Sequence, residues 1–89
     1  MQSFKKTRHL AYRIIDSKAY VVNTKDSVLH EMNETGTFIW KMLEPPGSTL
    51  REMVKKITDE FDITAKKAEK DVKDFLSMLT KHGLIEKIK

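Results

Sequence analysis

The stretch Val28-Leu29-His30-Glu31-Met32-Asn33-Glu34-Thr35-Gly36-Thr37-Phe38-Ile39-Trp40 contains the point at which the apolar period of this chain changes. Before it, residues 10–32 come as short β-branched or aromatic runs divided by polar turns. Leu10-Ala11-Tyr12-Arg13-Ile14-Ile15 is followed by Asp16-Ser17-Lys18, then by Ala19-Tyr20-Val21-Val22. Asn23-Thr24-Lys25-Asp26 leads into a third run from Ser27 to Met32, whose apolar pattern His30 and Glu31 dilute. Runs of this kind between Asx-rich turns predict a three-stranded antiparallel meander.

Beyond Met32 the period is helical. Asn33 is placed to cap a first helix, its side chain accepting from orphan backbone N–H groups. Phe38, Ile39, Met42 and Leu43 follow at helical spacing, and Trp40 widens the apolar arc. Pro45-Pro46-Gly47 stops that helix. Thr49-Leu50-Arg51-Glu52 has the form of a capping box. Leu50, Met53, Val54, Ile57 and Phe61 then make the core stripe of a second helix. Asp62-Ile63-Thr64 breaks and re-caps the chain for a third, with Ala65, Ala68, Val72, Phe75, Leu76 and Leu79 on one face. Gly83 sits where a left-handed residue ends a helix, and residues 84–88 form a short extended close. A meander beside two closely spaced helices predicts an α+β winged helix-turn-helix: a three-stranded antiparallel sheet followed by three helices.

At 89 residues, 39% hydrophobic and 34% charged, the chain is expected to be one globular domain over residues 1–89. The absence of cysteine removes disulfides, thiolate zinc sites, iron–sulfur ligation and thiol nucleophiles. There is no apolar run of the ~20 residues that cross a bilayer and no apolar stretch after the charged N-terminus, so a cytoplasmic protein with no membrane partner is expected.

Enzymatic chemistry is not expected. His9, His30 and His82 fall in different elements, with none of the spacings that hold a metal. Gly36, Gly47 and Gly83 are isolated, so no glycine-rich loop cradles a phosphate. Gly36 instead suggests close packing of the first helix. The many carboxylates read as a solvated surface with i,i+4 pairs such as Glu69–Lys73. Asn33-Glu34-Thr35 has the form of a glycosylation acceptor but reads as a helix cap. No catalytic residue, cofactor or metal is assigned.

The net charge of +4 keeps nucleic acid in view. Lys66, Lys67, Lys70, Lys73 and Lys81 lie on the third helix, which a DNA-binding winged helix would place in the major groove. Against this, the helix lacks Arg, Asn and Gln, and Glu69, Asp71 and Asp74 are interleaved among the lysines.

The residues from Val28 to Trp40 resemble a segment of PqqD-like proteins, in which a strand runs into an apolar residue, Asn-x-Thr/Ser-Gly/Ala and, four residues on, a Trp. Met32 stands where Leu is usual. The C-terminal half is similar too: Thr49-Leu50-Arg51-Glu52-Met53, the Phe61-Asp62-Ile63 turn, then Asp71-Val72, Phe75-Leu76, Leu79 and Gly83-Leu84-Ile85. The resemblance spans nearly the whole chain in order and spacing. It implies a non-catalytic peptide chaperone of ribosomal-peptide biosynthesis, a precursor-peptide recognition element. Such a domain binds the leader of a precursor peptide and presents it to a maturation enzyme, whether a radical SAM enzyme or a lasso-peptide protease or cyclase. It also implies the site: a strand added beside Val28, Leu29, His30, Glu31 and Met32, facing the third helix around Asp71, Phe75 and Met78.

The physical reading runs the same way. The last strand of a meander has an unpaired edge, a template for strand addition. With Ala68, Val72, Phe75 and Leu79 as the core line of the third helix, Lys67, Asp71, Asp74 and Met78 lie along one flank. Trp40 and Phe75 read first as core and only second as groove walls. Two alternatives stay open: a small winged-helix DNA-binding protein, and a subunit that dimerises through the same sheet edge. Monomer and homodimer are both compatible with the sequence.

Overall fold

A computed structural model of the chain describes residues 3–88. The order is β1 Ser3–Lys6, β2 Leu10–Ile15, β3 Lys18–Asn23, β4 Val28–Glu31, α1 Glu34–Met42, β5 Ser48–Thr49, α2 Leu50–Glu60, α3 Ala65–Lys81 and β6 Ile85–Ile88. The expected meander is present as the antiparallel sheet β2-β3-β4, followed by the three expected helices. Asp16 and Ser17 join β2 to β3 with both φ angles positive, the twist that suits a two-residue hairpin.

A second antiparallel sheet, in the order β5-β1-β6, was not foreseen. Its central strand, β1, carries two lysines in four residues and has no strand signal of its own. It is extended because β5 and β6 occupy its two edges, with Phe4 buried beneath. The terminal extended segment read from residues 84–88 is thereby strand β6.

Local chemistry sets the helix ends. Asn33 Oδ1 accepts from the Gly36 N–H at 2.8 Å. The capping box of α2 is complete: Thr49 Oγ1 accepts from the Glu52 N–H at 3.2 Å, and the Glu52 carboxylate accepts from the Thr49 N–H at 2.9 Å. Thr64 caps α3. At its far end Gly83 takes φ +72°, the Gly83 N–H donates to the Thr80 carbonyl and the Leu84 N–H to the Leu79 carbonyl. That Schellman closure turns buried Leu84 back onto the core.

The core joins Ala19 and Val21 of β3 to Ile39, Trp40 and Leu43, to Met53 and Ile57, and to Ala68, Val72, Leu76 and Leu79. Two members of the expected α3 face depart from it. Ala65 is exposed in the first turn, and Phe75 is only half-buried because its ring turns toward α1. Thr37 ties α1 to the meander, its Oγ1 accepting from the Ala19 N–H at 2.7 Å.

Lys6 joins the two sheets. Its side chain is buried, with Nζ 2.6 Å from Glu44 Oε1 and 4.2 and 4.6 Å from the ring centroids of Tyr12 and Trp40. The Tyr12 hydroxyl donates to the same carboxylate. Burial pulls the Lys6 ammonium down, with the Glu44 hydrogen bond opposing it. Tyr12 is pushed up to about 12, chiefly by its own hydrogen bond to Glu44. Glu44 is held below the usual carboxylate range by its hydrogen bonds from Lys6 and then Tyr12.

Candidate functional site

The hydrogen-bond register of β4 determines which of its backbone groups are free. The Met32 N–H donates to the Ala19 carbonyl at 2.8 Å, and β4 pairs with β3 so that His30 opposes Val21 and Leu29 opposes Val22. In an antiparallel ladder alternate residues turn their N–H and C=O toward the neighbour. His30 and Met32 therefore face β3, as does Val28, whose N–H donates to Asp26 Oδ1 at 3.0 Å, while Leu29 and Glu31 present both groups outward. No described strand lies on that side.

The side chains divide differently. Val28 and His30 share the face of Asn23 and Val21, toward the helices, whereas Leu29 and Glu31 point to the outer face with Val22 and Tyr20. Leu29 is 61% exposed and Val28 47%. Glu31 pairs across the sheet with Lys18 at 3.8 Å. The His30 ring lies 4.8 Å from that of His82, the residue that caps α3. His30 thus bridges the strand edge to the C-terminal end of α3, with its Nε2 buried and without a hydrogen-bond partner among the described residues.

After β4 the chain passes through Met32 to Asn33, which lies in the wall of a cavity of about 480 Å³. Asp71, Asp74, Phe75 and Met78 form its α3 side. Asn33, Thr35, Gly36 and Ile39 form the α1 side, and Ile57, Phe61 and Ile63 close one end. Gly36 permits this geometry: a Cβ there would stand 3.2 Å from Cε1 and Cζ of Phe75. The cavity is apolar with two carboxylates among its lining residues. Asp71 pairs with Lys67 at 3.4 Å and Asp74 with Lys70 at 3.0 Å, so both remain balanced from the solvent side.

Four of the anticipated α3 residues thus come together. Of the anticipated strand residues, Val28 and His30 turn their backbone groups to β3 and do not line the cavity, and Met32 and Lys67 are also placed otherwise. Met32 is only 3% exposed: its side chain belongs to the core and its N–H to the β3 ladder, so it presents nothing to a guest. Lys67 reaches the site only through its ion pair with Asp71 and does not line the cavity. The α1 wall went unread as a site because Asn33, Thr35 and Gly36 already have local work in the cap and first turn. Their one signal was the Asn-x-Thr-Gly pattern itself. Trp40, fully buried, is core.

A family model described as coenzyme PQQ synthesis protein D (PqqD) matches residues 19–85, from β3 to the start of β6. The chain belongs to the PqqD family. No curated protein sequence matches it. Among solved structures, one described as TbiB1 in complex with the TbiA(beta) leader peptide superposes with a TM-score of 0.85 at 24% identity, covering 92% of this chain and 94% of that one. Another, lasso peptide synthetase B1 complexed with the leader peptide, superposes with a TM-score of 0.82 at 16% identity, covering 93% and 96%. At these identities the two establish a shared fold, which accords with the PqqD assignment and with the winged-helix expectation. Among the described residues no three His, Cys, Asp or Glu side chains are grouped to hold a metal ion. No described helix is long and apolar enough to cross a membrane.

Proposed function

We propose that this PqqD-family chain is a non-catalytic peptide chaperone that captures the leader of a ribosomal precursor peptide and presents it to a modifying enzyme. The observation that carries this reading is the open edge at Leu29 and Glu31 on a strand that leads through Met32 to Asn33, in the wall of the apolar cavity between α1 and α3. A guest strand antiparallel to β4 would exchange up to four hydrogen bonds with those two residues. At ~1 kcal/mol net each, these about offset the ordering of a flexible peptide. Affinity then comes from a side chain anchored against Phe75 and Met78, worth ~1.5–3 kcal/mol when an apolar group of Leu or Phe size is buried. Both superposable structures are described as complexes with a leader peptide, which supports the reading that this chain captures one.

The DNA-binding alternative gains no support. Lys67, Lys70 and Lys73 on α3 are each paired with an acidic residue one turn away, which lowers the field available to phosphate. Titrating synthetic leader peptides of ribosomal precursors into ¹⁵N-labelled protein tests the proposal. Amides of residues 28–31 and 71–78 should shift in a saturable manner. Saturable binding that leaves those amides still would refute it.

A further inference from the structure

The flank of α3 that faces away from the guest cavity has the opposite charge and a recess of its own. Phe4, Leu50 and Leu76 form the floor of a trough of about 490 Å³ between α3 and the β1-β6 sheet, with Lys73, Lys81 and Lys87 on its rim. Phe4 and Leu76 are buried at its base. Lys73 pairs with Glu69 at 2.9 Å, but Lys81 and Lys87 make no ion pair among the described residues. Leu50 also lines a second hollow over α2, where Arg51 stands with Glu69 and with Lys55, itself 4.0 Å from Asp59. Asp71 and Asp74, in contrast, are the charged residues lining the guest cavity.

We infer that this cationic trough is a second docking surface, which takes an acidic amphipathic peptide segment of the modifying enzyme. The inference rests on the guest-binding reading only in naming that enzyme as the partner. The trough and the guest cavity share no lining residue, so both can be occupied at once, as presentation of a bound guest requires. The charge pattern selects the occupant. The ammonium groups of Lys81 and Lys87, without an ion pair among the described residues, around an apolar floor favour a segment that alternates carboxylates with Leu-sized side chains, and the Ser77 and Thr80 hydroxyls on the rim add polar contacts. A membrane surface would call for apolar side chains that protrude beyond the lysines, whereas here they are recessed beneath them. A nucleic acid would leave the apolar floor unused.

The test uses the full chain, ¹⁵N-labelled, and a synthetic amphipathic helix of Leu and Glu, with a Leu/Lys counterpart and phosphatidylglycerol vesicles in parallel. The acidic helix should shift amides of residues 73–81 and of Lys87 while leaving residues 28–31 in place. The double variant Lys81→Glu, Lys87→Glu, folded by its own spectrum, should bind that helix at least tenfold more weakly and keep its affinity for a leader peptide within twofold. The Leu/Lys helix should not bind. Absence of acidic-helix binding, shifts elsewhere, unchanged affinity after charge reversal, or vesicle binding that displaces the helix would each overturn the inference. Loss of leader binding with the trough still active would instead overturn the guest-binding reading alone.

Discussion

The most discriminating perturbation of the proposed edge is Leu29→Pro. Leu29 turns its N–H and C=O away from β3, so a proline there deletes no bond of the β3-β4 ladder, and edge strands accept proline where the N–H faces solvent. Its 61% exposed side chain also contributes little packing. The stability change should therefore stay within about 1 kcal/mol. For a guest strand the effect is larger. The donor is lost, and the ring stands where the incoming carbonyl would sit, so both bonds to Leu29 fail out of the four that the edge offers. At ~1 kcal/mol each this is ~2 kcal/mol, or roughly 30-fold in affinity. His30→Pro is the internal control: its N–H faces β3, so that change should lower stability as well as binding. Fluorescence anisotropy with a labelled leader peptide, beside chemical denaturation of both variants, measures the two effects. A folded Leu29→Pro protein that binds the leader as well as the parent would show that strand addition along β4 is not how the guest is held.

Three further outcomes are expected. Gly36→Ala places a methyl 3.2 Å from both the Phe75 ring and Asn33 Oδ1, so these cavity-lining groups must give by a few tenths of an ångström; leader affinity should fall while thermal stability changes by about 1 kcal/mol, and the ring-current shifts of Met78 report any displacement of the ring. Met32→Ala should cost ~2–5 kcal/mol in denaturant unfolding and Leu29→Ala under ~0.5, which separates the core residue from its exposed neighbour; equal costs would contradict the placement of Met32. Glu44, whose folded carboxyl lies below the usual range, binds protons more readily unfolded than folded, so its contribution is present above the ordinary carboxylate range and is lost as pH falls through the folded value. Unfolding curves should therefore separate Glu44→Gln from the parent at neutral pH and converge in acid; a gap that persists there would refute the Lys6–Glu44–Tyr12 linkage.

Much of the fold was legible because its signals are local. Asn33, Thr49 and Thr64 each satisfy backbone donors within three residues, so helix starts can be read from a few neighbouring letters. The meander was legible for a similar reason, since its turns bring adjacent runs into register. The edge of β4 followed from its being the last strand of three. The cavity was less so. Phe75 could be placed on a helical wheel as core or wall, but its half-buried position is settled by Gly36, thirty-nine residues away in sequence.

Helix boundaries, the meander and the apolar stripes were thus determined by the chain alone, through hydrogen bonds and periodicities that span a few residues. Tertiary contacts decided the rest. Ser3–Lys6 becomes a strand only because two distant segments satisfy its edges. Met32 is withdrawn from the site by the core it fills, and the two flanks of α3 acquire opposite charge once the β1-β6 sheet closes one of them and α1 the other. Burial is a property of what packs against a residue, and for these positions the packing partner lies far along the chain.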